Sequence, residues 1–182
     1  MRPRNLRTKI FLDSGDPQET RSALGLLGFL DGQTTNPTLI AKNPRAKERC
    51  GSGKAFTKKE ILDFYKDIVQ EISRLLPGGS VSVEVYADAH TAAGDMLAEG
   101  REMFSWAPNA HIKYPLIAAG LEAAERSLYE GIRVNMTLCF SQEQSAAVYA
   151  ATQGARQGDV FVSPFVGRLD DVGENGMDLL KS

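Results

Sequence analysis

Two cysteines, Cys50 and Cys139, are too few for a disulfide framework or a thiolate metal cluster, and both are expected to be reduced side chains. Two histidines, His90 and His111, have no second ligand at a recognisable metal spacing, so no metal site is expected. No apolar run approaches the roughly 18 residues that cross a bilayer. The start, "MRPRNLRTKIFLDSGDPQ", carries positive charge but lacks the apolar stretch of a secretion signal. A cytoplasmic protein without membrane association is the expectation. An excess of positive charge is missing too: 21 Lys and Arg against 23 Asp and Glu give a net charge of −2. The basic residues are spread along the chain, which argues against nucleic acid as a partner. With no linker or low-complexity tract, and 42% hydrophobic residues in 182, a single domain over residues 1–182 is expected.

What the chain does have is alternation. Short β-like runs at 9–14, 32–35, 81–87, 111–115, 132–138 and 159–163 are separated by helical patterns at 17–30, 57–76, 89–106, 118–130 and 141–154. Strand–helix repetition implies an α/β protein with a parallel sheet. The runs are largely apolar, as strands buried on both faces are. Ser141 can cap "QEQSAAVYAATQ", and Pro17 suits the first turn of its helix. The polar stretch "NPRAKERCGSGK", 43–54, holds Gly53-Lys54, but a phosphate loop would need glycine at 48 and Ser or Thr at 55. The chain has Glu48 and Ala55, so a solvated loop is expected there. Met103, Phe104 and Trp106 read as core, and Lys58-Lys59-Glu60 as a solvated helix face.

Polar residues interrupt the strands near their carboxyl ends: Asp13, Thr35-Asn36, Glu84, Lys113, Asn135 with Thr137, and Ser163. A (β/α)₈ barrel gathers its active site at that end from several strands, whereas a doubly wound sheet would often carry a glycine-rich first turn, which "DSGDPQ" is not. Lys113, inside "HIKYPLI", is the sharpest anomaly, because a buried ammonium is costly. Burial in a low-dielectric interior favours the neutral amine of a lysine, and neutral amines attack carbonyls. Two readings stay open on spacing alone: a Schiff-base nucleophile, or a structural ion pair between Lys113 and Glu84.

"DGQTTNPTLI", "VSVEVYAD", "IKYPLIAAGLEAAERSLYEGIRVNMTLCFS" and "VFVSPFVGRLDD" occur in an order that resembles the transaldolase family of class I Schiff-base aldolase barrels, from about Ile10 to Leu180. The resemblance implies Lys113 as the Schiff-base lysine and Asp13 as acid–base at the C4 hydroxyl. It implies Glu84 and Thr137 as the holders of a catalytic water. Asn36, Asn135 and Ser163 would bind the dihydroxyacetone moiety, Phe165 would line the site, and Arg168 would bind phosphate. It further implies cofactor-free, metal-free transfer of a dihydroxyacetone unit between sugar phosphates of the pentose phosphate pathway, sedoheptulose 7-phosphate or fructose 6-phosphate serving as donor. Two alternatives remain. In the fructose 6-phosphate aldolase branch, glutamine, alanine and tyrosine would stand at Glu84, Ser163 and Phe165. A non-catalytic barrel remnant could serve as a binding or assembly module. Tyr114, Leu116 and Ile117 depart from the "IPAT" continuation of the lysine motif. Six strands are countable, with the helix after the sixth beginning at "GENGMDLLKS". A closed barrel would need two more units, about 60 residues, so a homo-oligomer or a piece of a longer chain is expected.

Overall fold

The computed structural model describes residues 2–181; Met1 and Ser182, the two ends of the expected 1–182 domain, lie outside the described residues. The chain divides into two compact units. One runs to Glu84 and takes in Met103–Ala110; the other holds Val85–Glu102 and the chain from His111 onward.

The first unit is built from β1 (Phe11–Asp13), α1 (Pro17–Leu27), β2 (Gly32–Thr34), α2 (Pro37–Lys42), α3 (Pro44–Gly51), α4 (Lys58–Leu75) and β3 (Ser80–Glu84). β1 pairs with β2 and β2 with β3, both in parallel, with Asp13 opposite Thr34 and Thr34 opposite Ser82. The core strand of this unit is β3, whose Val81 and Val83 are fully buried. α4 starts where a capping box dictates: Thr57 accepts from the Glu60 amide, and the Glu60 side chain accepts from the Thr57 amide. Its buried residues, Tyr65, Ile68, Val69, Ile72 and Ser73, follow the spacing of one helix face. Burying Ile68, Val69 and Ile72 contributes about 1.5–3 kcal/mol each. The opposite face is solvated, with Lys59 paired to Asp63.

The polar stretch 43–54 is not the loop expected of it, since Pro44–Gly51 form α3. Tertiary partners outweigh its composition. Asn43, 2% exposed, caps the helix through the Arg45 amide and donates to the Gly15 carbonyl at 2.8 Å. Arg45 and Arg49, one turn apart, lie over the Phe64 and Phe56 rings at 5.3 and 4.0 Å from the centroids. Met103 and Trp106 are buried as expected, and Trp106 meets Tyr65 edge-on at 5.7 Å.

The second unit receives most of α5 (Ala93–Phe104) and then runs through β4 (Ala110–Pro115), α6 (Ala118–Tyr129), β5 (Val134–Cys139), α7 (Gln142–Ala151) and β6 (Val160–Pro164). It ends in α8 (Val166–Asp171) and a 3₁₀ helix (Gly176–Leu180). The helix after the sixth strand therefore starts at Val166, ahead of the expected start at Gly173, and only a 3₁₀ turn occupies "GMDLL". β4, β5 and β6 pair in parallel. Ser141 caps α7 as its sequence predicts, accepting from the Gln144 amide. All six residues of β4 are buried, which is the signature of a strand covered on both faces. Six strand–helix units thus follow the α/β pattern of the (β/α)₈ barrel class. Among the described residues no helix is long and apolar enough to cross a membrane.

Close approach of α6 to β4 rests on one glycine. A Cβ on Gly120 would lie 1.9 Å from the Pro115 carbonyl oxygen, a backbone atom that cannot step aside. Gly120→Ala is expected to destabilise the protein by about 3 kcal/mol and to lower Tm by roughly 10 °C. Gly25→Ala, in α1 with open space around the new methyl, should instead stabilise by about 0.5–1 kcal/mol. Calorimetry on both variants checks the pair, and equal Tm values would overturn the packing account.

Candidate active site

In the first unit, Asp13 is the last residue of β1 and is exposed. Directly across the ladder, the Thr34 hydroxyl donates to Asp13 Oδ1 at 2.6 Å, which fixes one carboxylate oxygen and leaves the other outside that bond. The turn after Asp13 is held from β2 as well. Gln33, fully buried, donates to the Ser14 carbonyl at 2.8 Å and accepts from the Thr20 hydroxyl at 2.7 Å. Asn36 caps α2: its Oδ1 accepts from the Leu39 amide at 2.8 Å, so the amide nitrogen is the end it can offer a ligand. Glu84 closes β3 and is half-buried, and its backbone N–H donates to the Tyr65 hydroxyl at 3.0 Å.

In the second unit Lys113 is 5% exposed, the fourth residue of β4. Its carbonyl accepts from the Val85 amide at 3.2 Å, and its partner across the ladder is Asn135. Asn135, also buried, accepts from the Ser163 hydroxyl at 2.8 Å, which links β5 to β6 at the level of the lysine. Thr137, two residues on, is 1% exposed and its hydroxyl has no hydrogen-bond partner. A buried hydroxyl in that condition costs free energy and marks a place for a water or a ligand group.

The backbone just beyond Thr137 is distorted. The β5–β6 register shifts between Met136 and Cys139, and Leu138 sits at φ 62, in the left-handed region. This bulge turns Leu138 outward while Thr137 and Cys139 both stay buried. Phe165 follows β6 and meets Phe140 edge-on at 5.5 Å. Phe165 and Arg168 line a depression of about 470 Å³ together with Pro164, Val166, Gly167 and Asp171.

Tyr114, the bulkiest departure in the lysine motif, does not crowd Lys113, because successive strand residues face opposite ways. Its hydroxyl pairs with the Ser127 hydroxyl on α6 at 2.9 Å, and its tip packs where Gly100 has no side chain. Burial pushes its phenol up to about 12, so it is neutral at physiological pH. Ile117, by contrast, is exposed.

The nine expected site residues therefore fall into two sets. Asp13, Asn36 and Glu84 stand at, or just after, the carboxyl ends of three successive strands of the first unit. Lys113, Asn135, Thr137 and Ser163 lie on neighbouring strands of the second, with Phe165 and Arg168 following β6. Sequence reasoning passed over Thr34, Gln33 and Tyr65. A signal existed for Gln33, since a glutamine within a strand is costly to bury unless it has partners.

Residues 10–182 match the family described as Transaldolase/Fructose-6-phosphate aldolase. A probable transaldolase of Dehalococcoides mccartyi is 44% identical over 172 residues, covering 94% of this chain and 67% of its own length. Probable transaldolases of Herpetosiphon aurantiacus and Heliobacterium modesticaldum are 42% and 43% identical over 173 residues, each covering 95% of this chain and 65% and 67% of their own. The chain belongs to the transaldolase/fructose-6-phosphate aldolase family. It spans about two thirds of the length of these curated relatives. Among solved structures, 2,3-dimethylmalate lyase, a PEP mutase/isocitrate lyase superfamily member, superposes with a TM-score of 0.52 at 12% identity, over 92% of this chain and 63% of that one, a likeness of fold alone.

Proposed function

We propose that the protein is a transaldolase that carries a dihydroxyacetone unit on Lys113 from a ketose phosphate to an aldose phosphate. The observation that carries this reading is an amine on a strand buried on both faces, opposite a buried asparagine and near a buried hydroxyl without a partner. Such an environment suits an amine that forms and loses covalent bonds to carbon in a water-poor pocket.

In the proposed sequence, the Lys113 amine attacks the C2 ketone of sedoheptulose 7-phosphate or fructose 6-phosphate. Glu84 and a water held with Thr137 supply the proton that lets the carbinolamine hydroxyl leave as water, giving an iminium. Asp13 takes the C4 hydroxyl proton. The C3–C4 bond breaks, its electron pair moves toward the iminium nitrogen, and an aldose phosphate departs. The remaining enamine, hydrogen-bonded by Asn36, Asn135 and Ser163, adds to a second aldose phosphate, and hydrolysis frees the lysine. Phe165 walls the site and Arg168 supplies the cation for the phosphate. A cytoplasmic enzyme of the pentose phosphate pathway, assembling as a homo-oligomer or acting within a longer chain, fits this chemistry.

Transfer is separable from simple cleavage by supplying fructose 6-phosphate alone. The enamine should then stay on the protein and little free dihydroxyacetone should appear, and adding an acceptor aldose phosphate should restart turnover. Sustained release without an acceptor would move the protein to fructose 6-phosphate aldolase chemistry. No adduct and no turnover under either condition would support a binding module instead.

A further inference from the structure

Behind β2 and β3 of the first unit runs a buried series of hydrogen bonds whose direction is set by its own chemistry. Thr35, fully buried, gives its one hydroxyl proton to the Ser82 carbonyl at 2.8 Å. Its contact with the Tyr65 hydroxyl, also 2.8 Å, must therefore be one in which Tyr65 donates. Tyr65, 3% exposed, has then committed its only hydroxyl proton, and its oxygen accepts from the Glu84 amide at 3.0 Å. The sequence of donors is Glu84 N–H, Tyr65 O–H, Thr35 O–H, with the Ser82 carbonyl as the last acceptor. Tyr65 is itself immobilised, because α4 fixes its backbone and the Trp106 ring stands edge-on to it at 5.7 Å.

The series begins on Glu84 and passes through Thr35, the residue before Asn36, so it ties together the carboxyl ends of β2 and β3 where two of the proposed site residues sit. We propose that Tyr65 is a positioning residue for Glu84, its buried hydroxyl fixing the backbone from which the carboxylate acts. This rests on the transaldolase reading of Glu84. Hydroxyls in series in a water-free environment strengthen one another, and a small shift of a reacting group costs rate steeply. A tyrosine does this better than an apolar residue would, because phenylalanine fills the same space yet offers no acceptor to the Glu84 amide.

Tyr65→Phe in the intact chain is expected to lower kcat roughly tenfold or more with KM for the donor sugar little changed. A structural defect alone could also lower activity, so the deciding measurement is a double-mutant cycle with Glu84→Gln. If Tyr65 acts through Glu84, Tyr65→Phe should cost little further in the Glu84→Gln background. Thr35→Val should show the same dependence on Glu84, and Thr35→Ser, which keeps the hydroxyl, should restore turnover. That pair carries the test if Tyr65→Phe does not fold. Wild-type kcat in Tyr65→Phe, or an equal loss in both backgrounds, overturns the assignment. Absence of a borohydride-trapped Lys113 adduct in the unsubstituted protein would instead remove the transaldolase reading and this inference with it.

Discussion

Lys113→Arg is expected to leave no borohydride-trapped adduct with fructose 6-phosphate and to lower turnover by at least about 10⁴-fold, as loss of a covalent nucleophile does. The reasoning starts from position. Lys113 is buried on a strand whose every residue is buried, and its partner across the ladder is the buried Asn135. Arginine keeps the positive charge and most of the length, and any purely electrostatic service to a partner carboxylate would survive in part. What arginine cannot do is shed its proton near neutral pH and attack a ketone. Mass spectrometry of the unsubstituted protein should find the dihydroxyacetone-derived mass on the Lys113 peptide. A label on Lys42 or Lys54 would sink the assignment, as would a trapped adduct in Lys113→Arg. Circular dichroism and Lys113→Met, which matches the lysine stem without charge, separate loss of chemistry from loss of fold.

The alternation of strands and helices was legible because burial on both faces writes itself into composition. β3 alternates valine with small serines and β4 is buried along its whole length, so the charged Glu84 and Lys113 stand out in them. Helix ends signalled locally were legible too, Ser141 and Pro17 among them, since a cap is a contact between residues two or three apart. α3 was not. Asn43 and Pro44 are a cap and a first-turn proline of the same kind, but the polar, glycine-bearing composition hid them. The contacts that hold the helix, Asn43 on the Gly15 carbonyl and Arg45 and Arg49 over two phenylalanines of another segment, join residues that no local pattern connects.

The candidate site residues draw notice from where they stand on the strands, whereas the groups that hold them in place escape it because their partners lie far along the chain. In "DGQTTNPT" every polar side chain from Gln33 to Asn36 makes a specific hydrogen bond. Gln33 holds the turn after Asp13, Thr34 holds the Asp13 carboxylate, Thr35 reaches β3, and Asn36 caps α2. Only Asn36 reads from sequence as a ligand-binding group. Tyr65 is hidden more deeply, within an amphipathic helix where a tyrosine at a core position looks apolar. Its hydroxyl becomes informative only when its partners are known, because a buried phenol requires one. The Leu138 bulge likewise leaves no trace in sequence, since leucine is not a residue that favours a left-handed backbone.

Asp13→Asn should slow C3–C4 cleavage by roughly 10²–10⁴-fold, the range for removing a general base, while leaving iminium formation close to its original rate. Thr34 makes this substitution unusually clean. Its hydroxyl donates to one Asp13 oxygen, and an asparagine can turn its carbonyl oxygen to that same donor. The side chain then keeps its place, and an NH₂ group, a donor only, stands where the free carboxylate oxygen was. Geometry is retained and the capacity to take a proton is lost. Because Lys113 is untouched, borohydride should trap the Lys113 adduct at an undiminished rate, and it should accumulate as the ketose-derived species before bond cleavage, heavier than the dihydroxyacetone-derived one. Rapid-quench mass spectrometry distinguishes the two adducts, and coupled detection of the released aldose phosphate reports the cleavage step. Equal slowing of trapping and release would show that Asp13 serves iminium formation as much as cleavage, and the proton from the C4 hydroxyl would then need another acceptor.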